Sequence, residues 1–102
     1  MFGADQLALM QEMQKKLEES KQRLAEATIE GEAGSGLVRV VLAGNRQLKK
    51  LEINTDLKEM EKEDLEDLLV VAMNRAMEKA DQLNEREMAQ SAMSFMPNLP
   101  KF

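Results

Sequence analysis

The 102-residue sequence contains no cysteine, which excludes disulfide scaffolds, thiolate metal sites and cysteine nucleophiles. It contains no histidine, and so lacks both the commonest general base and the commonest metal ligand. Tryptophan and tyrosine are absent, and the aromatics are three phenylalanines, Phe2, Phe95 and Phe102. That scarcity argues against modules that stack single-stranded bases on aromatic rings. No apolar run approaches the ~20 residues of a membrane span, and no basic-then-apolar leader opens the chain, so a soluble, cytoplasmic protein without a membrane partner is expected. Apolar residues make up 43% and charged residues 32%, enough for a small core that a partner chain would help to complete.

The net charge of −5 is unevenly placed. Residues 1–54 and 68–102 each balance acids against bases. Residues 55–67 hold Asp56, Glu59, Glu61, Glu63, Asp64, Glu66 and Asp67 against Lys58 and Lys62. The acidic excess therefore speaks against nucleic acid only at that block. Seven carboxylates after Thr55 or Asp56, either of which can cap a helix, favour the positive end of a helix dipole.

From Asp5 to Ala27 the chain has no glycine or proline and is rich in Gln, Glu, Lys, Leu and Met, which predicts a helix. Met10, Met13, Leu17, Ser20, Leu24 and Ala27 form a seam at spacings of three and four, weakened at Ser20, that should pair with another helix. Thr28–Ala33, Leu37–Leu42 and Leu48–Asn54 read as strands separated by Gly34-Ser35-Gly36 and Gly44-Asn45, an antiparallel meander. A long helix follows from about Lys62 to Ala89 or beyond, its stripe including Leu65, Leu69, Ala72, Met73, Ala76 and Ala80. The reading is an α+β domain with α–β–β–β–α order, residues 1–90, whose two long helices project beyond a three-stranded sheet. Residues 91–102, with Pro97 and Pro100, form a flexible tail. The central strand appears apolar on both faces, Val38, Val40 and Leu42 on one and Leu37 and Val41 on the other. Those five are the expected core or dimer interface, with a second chain supplying cover that one chain lacks.

No constellation carries catalysis. Gly34-Ser35-Gly36 lacks the Gly-Lys-Ser/Thr of a phosphate loop and precedes a strand, so a hairpin turn is the better reading. The paired carboxylates lack calcium-loop spacing and apolar surroundings, as expected of a solvated helix face. No enzyme, metal, cofactor or small-molecule substrate is expected. The bases Lys15, Lys16, Lys21 and Arg23 on the first helix, Lys49 and Lys50 on the third strand, and Arg75 on the last helix could contact phosphate, although each is by default a solubilising charge. Arg75, Lys79 and Arg86 step along one side of that last helix.

The run Gly31-Glu32-Ala33-Gly34-Ser35-Gly36-Leu37-Val38-Arg39-Val40, then Gly44, Leu51-Glu52-Ile53, Leu65-Glu66-Asp67-Leu68 and Asn74, resembles the YbaB/EbfC family of bacterial nucleoid-associated proteins. The opening Met1-Phe2-Gly3, the Met/Gln-rich first helix and the Pro-containing tail are similar too. The resemblance implies a homodimer formed through the sheet, helices protruding like tweezers, and binding to duplex DNA with little sequence preference in the nucleoid. The competing reading is a protein–protein adaptor dimer using the Met-rich seams and the apolar tail.

Overall fold

The computed structural model describes residues 3–95. Helix α1 spans Ala4–Glu26; strands β1 Thr28–Ala33, β2 Val38–Ala43 and β3 Leu48–Ile53 form an antiparallel sheet in the order β1-β2-β3; a single 3-10 turn covers Leu57–Glu59; helix α2 spans Lys62–Phe95. This is the expected α–β–β–β–α meander. Alternation sets the sheet: in Thr28–Ala33 every second residue is buried, and in β2 Val38, Val40 and Leu42 are almost fully buried. At ~1.5 Å per residue α2 is about 51 Å long, against about 20 Å for a six-residue strand, so it overhangs the sheet.

The core is small and lies on one face. Ala72, Ala76 and Ala80 of α2, all fully buried, lie over β1 and β2. Gly31 permits that approach, because a Cβ there would fall on the Ala72 carbonyl and lie 2.5 Å from the Ala76 nitrogen. Gly44 does the same for α1, a Cβ there meeting the Leu24 carbonyl at 2.6 Å. In the β1–β2 turn Gly34, Ser35 and Gly36 all have positive φ.

Four expectations change. The central strand is not apolar on both faces: Leu37 lies in the turn before β2, and half-buried Val41 sits among charged neighbours. On that face Arg39 bridges Glu30 at 3.2 Å and Glu52 at 4.0 Å, and Lys50 pairs with Glu52 at 2.8 Å, a ladder suited to water. Asp56 caps the 3-10 turn rather than the long helix, accepting a hydrogen bond from the Lys58 nitrogen at 2.9 Å. The seam of α1 is largely uncovered: residues 3–15 are all exposed, and Ser20, which seemed its weak point, is the one buried residue of α1. Helix α2 continues to Phe95, so residues 91–95 are helical rather than tail; the remainder of the expected tail lies outside the described residues.

Candidate nucleic-acid interface

The fold distributes the candidate bases unequally. Lys15 is exposed and has no carboxylate partner among the described residues. Lys16 lies 3.9 Å from Glu12, and Lys21 lies 3.8 Å from Glu18, both pairs within α1. Such loose surface pairs are worth about 0–1 kcal/mol, so phosphate can compete for these ammonium groups. A 100° step per residue spreads them around α1 rather than along one line: Lys16 flanks the seam on the side of Arg23, Lys21 flanks it on the other, and Lys15 points away.

Arg23 is differently employed. Its Nε donates to Glu87 Oε1 at 3.1 Å and its Nη2 to Glu87 Oε2 at 3.0 Å, while the Ser20 hydroxyl donates to the same Oε2 at 3.0 Å. The Glu87 side chain is only 13% exposed. The hydrogen bond from Arg23 holds the Glu87 carboxyl below its ordinary range, with a smaller contribution from Ser20, against an opposing desolvation. The same bond raises the Arg23 guanidinium.

Arg75 is also engaged, its Nη1 donating to the Glu32 carbonyl at 2.8 Å, and Lys79 Nζ donates to the Glu30 carbonyl at 2.9 Å. These side chains satisfy outward carbonyls of β1 and close that edge of the sheet. On β3, Lys50 is tied to Glu52, whose carboxyl is lowered chiefly by the Lys50 hydrogen bond. Lys49 is the extra residue of a β-bulge, where the β2–β3 register shifts, and has no ion-pair partner among the described residues. Arg86 is exposed and likewise unpaired there; its place beside Arg75 and Lys79 on one side of α2 was visible in the spacing, but its freedom was not. Thus Lys15, Lys49 and Arg86 have no ion-pair partner among the described residues, Lys16 and Lys21 sit in loose pairs, and Arg23, Lys50 and Arg75 hold other groups.

A second surface is apolar. Leu51 and Ile53 lie opposite Val40 and Val38 and therefore share their face, yet α2 does not reach β3 and leaves them 45% and 37% exposed. Arg75 and Lys79 fix which side of α2 faces β1; Val70 and the half-buried Met73 and Met77 fall on the opposite side, toward β3. Val70 is 59% exposed. This strip of leucine, isoleucine, valine and methionine lies on the face of the sheet that α2 covers, not on the face of Val41. Val38, Val40 and Leu42 are the protomer's own core.

Concave sites are shallow. A groove of about 730 Å³, open to water, runs between β1 and α2 past Thr28, Glu30, Lys79, Gln82 and Arg86. Among the described residues no group of three acidic side chains could hold a metal ion, and no helix is long and apolar enough to cross a membrane.

A two-layer domain with long overhanging helices, exposed bases and an uncovered apolar strip is built to bind through surfaces rather than pockets. The chain belongs to the YbaB/EbfC DNA-binding family, whose model matches residues 2–95. It is 40% identical over 91 residues to a nucleoid-associated protein of Flavobacterium johnsoniae, covering 89% of this chain and 85% of that one. It is 42% identical over 90 residues to a nucleoid-associated protein of Rickettsia bellii, covering 85% and 84%. The fold is also that of an uncharacterized Helicobacter pylori protein seen by crystallography, with a TM-score of 0.75 at 23% identity over 91% of this chain and 99% of that one.

Proposed function

We propose that the protein is a nucleoid-associated protein that binds duplex DNA as a homodimer, with little sequence preference, through bases on its projecting helices and sheet rim. The carrying observation is where the acidic excess lies. It occupies the 3-10 turn and the first turns of α2, ending at Asp67, whereas α1 packs near Glu87, about 30 Å further along that helix. Fixed charges so far apart are screened, since the Debye length is about 8 Å at physiological salt. Phosphate can therefore approach Lys15, Lys16, Lys21 and Arg86 without meeting the acidic block. Such contacts position the duplex without reading its bases. Membership of a DNA-binding family supports the same partner, and supports binding rather than a catalysed reaction.

The second copy covers the strip of Leu51, Ile53, Val70, Met73 and Met77. Apolar surface of this extent at the end of a small core is the kind that self-association buries. The β1 edge, closed by Arg75 and Lys79, leaves the β3 side as the one available for pairing. The relatives' names and the choice of DNA as partner support a place in the bacterial nucleoid.

The test is a fluorescence-anisotropy titration of random-sequence duplex at several salt concentrations, alongside light scattering. Binding that weakens linearly in log–log form with salt, by a species of twice 11.5 kDa, is the expected result. No detectable binding at micromolar dimer in low salt would overturn the DNA reading, and a mass of 11.5 kDa would overturn the dimer.

A further inference from the structure

We infer that Glu87, joined to Ser20 and Arg23, is the positioning residue of the α1 arm: it sets the direction in which α1 leaves the body and hence where its lysines meet phosphate. The inference rests on the DNA-binding reading above. It treats Arg23 as part of the hinge rather than as a phosphate contact.

Most of the arm is uncovered. Residues 4–15 of α1 are exposed throughout; beyond the polar cluster, Lys16 and Glu19 share a shallow recess with Gln90 and Ser91 of α2, and in the last turns the Leu24 carbonyl and Ala27 press on Gly44. The Gly44 nitrogen donates to the Ala27 carbonyl at 3.1 Å, fixing where the chain turns but not the angle of the helix before it. That angle is set about two turns earlier, at Ser20 and Arg23. There α2 offers one carboxylate whose two oxygens are both used, Oε1 by Arg23 and Oε2 by Arg23 and Ser20. A guanidinium fork on a carboxylate is directional, because two parallel hydrogen bonds fix a plane as well as a distance. The Ser20 hydroxyl adds a third bond from a side chain that is itself buried.

The cluster is the outermost of three polar ties spaced three residues apart along α2. Asp81 Oδ1 accepts from Arg46 Nη2 at 2.7 Å, and Asn84 Nδ2 donates to the Gly44 carbonyl at 2.7 Å, both locking the β2–β3 turn to α2. Glu87 continues the series on to α1. Apolar contacts tolerate sliding, whereas a series of directed hydrogen bonds does not, so the arm inherits the register of α2.

The charge of the cluster allows a test with opposite signs. If only net charge mattered, Glu87→Gln would strengthen DNA binding, because it removes an anion and releases Arg23. If Glu87 positions the arm, the same change weakens binding, since apparent affinity falls with the fraction of arms in the competent direction. Double electron–electron resonance between spin labels on Gln14→Cys and Lys58→Cys reads the arm directly without DNA; the chain has no native cysteine to interfere. Labelled protein is diluted with unlabelled protein so that only distances within one chain count. Glu87→Gln should broaden the distance distribution and weaken duplex binding about tenfold, as expected if the competent fraction falls to roughly one in ten. The exchange Arg23→Glu with Glu87→Arg, which keeps net charge and restores the pair, should return both the distance and the affinity.

An unchanged distance distribution in Glu87→Gln would overturn the positioning role. So would a swapped variant with restored distance and affinity still depressed, because Arg23 would then be touching phosphate itself. If wild-type protein fails to bind duplex, the DNA reading fails, and the distance measurement still decides whether Glu87 holds the arm.

Discussion

Replacing Gly31 by alanine should be among the most damaging single-methyl changes in this chain. Strand propensity predicts the reverse, since alanine in a strand interior loses less conformational entropy than glycine, by about 0.5–1 kcal/mol. The geometry overrides that gain. The new Cβ would lie on the Ala72 carbonyl and 2.5 Å from the Ala76 nitrogen, both backbone atoms of α2 that no rotamer change can move. Reaching an ordinary 3.4 Å separation requires α2 to retreat by at least about 0.9 Å, a gap at which packed atoms forfeit about half of their dispersion energy. Ala72, Ala76 and Ala80 are fully buried against the sheet and would all feel it. Overpacking of this kind costs about 1–3 kcal/mol and more where backbone is the obstacle, so a net loss near 3 kcal/mol is expected. For a domain of this size that lowers Tm by roughly 12–24 °C. Gly36→Ala is the control. Its φ of +89° is strained for alanine, but the nearest atom to the new Cβ is 3.9 Å away, so only about 1 kcal/mol should be lost. Thermal melts by far-ultraviolet circular dichroism, at one fixed protein concentration because association shifts Tm, make the comparison. A Gly31→Ala protein as stable as Gly36→Ala, or more so, would refute the close approach of α2 to β1.

Leu51→Glu places a charge in the uncovered strip and should convert the dimer to a species of 11.5 kDa by light scattering; a persistent dimer would locate the interface elsewhere. The Glu87 carboxyl titrates below its ordinary value near 4.5 in the folded chain, so its stabilising effect is full above that pH and is lost as pH falls through the depressed folded value. Urea midpoints should therefore separate wild type from Glu87→Gln at neutral pH and converge in strong acid, and an equal gap at both would remove the ion pair as the cause. Replacing Lys15, Lys16 and Lys21 together by glutamine should reduce the log–log salt slope by about 2–3 units per protomer engaged, each phosphate contact contributing roughly 0.9. An unaltered slope in the folded variant would shift the contacts to Lys49 and Arg86.

Periodicity made the element order legible, because each element obeys its own repeat: six-residue strands alternate, and α2 carries its alanine stripe at helical spacing. Gly34, Gly36 and Gly44 were legible as turn residues, and each lies in a turn. Gly31 sits in mid-strand, where nothing in its local sequence separates a close helix approach from an ordinary interior position. The second face of β2 was misread for a related reason. Val41 is apolar, but its surroundings come from β1 and β3, where Glu30, Glu52 and Lys50 arrive only once strand register is set.

The candidate site was the least legible part, and the reason is sequence separation. Arg23 and Glu87 are 64 residues apart, and Arg75 and the Glu32 carbonyl are 43 apart. A base's residue type says that it can bind phosphate, but its partners decide whether it is free to do so. Ser20 shows the same limit from the other side. Along α1 it interrupts an apolar seam, and in the fold it is the residue of that helix that burial selects, because α2 brings a carboxylate to its hydroxyl. What the pattern did carry was the placement of the acidic excess in one block. With α2 running about 30 Å from the end of that block to the arm, the block's repulsion is spent far from Lys15 and Lys21, and an acidic chain can present bases to DNA.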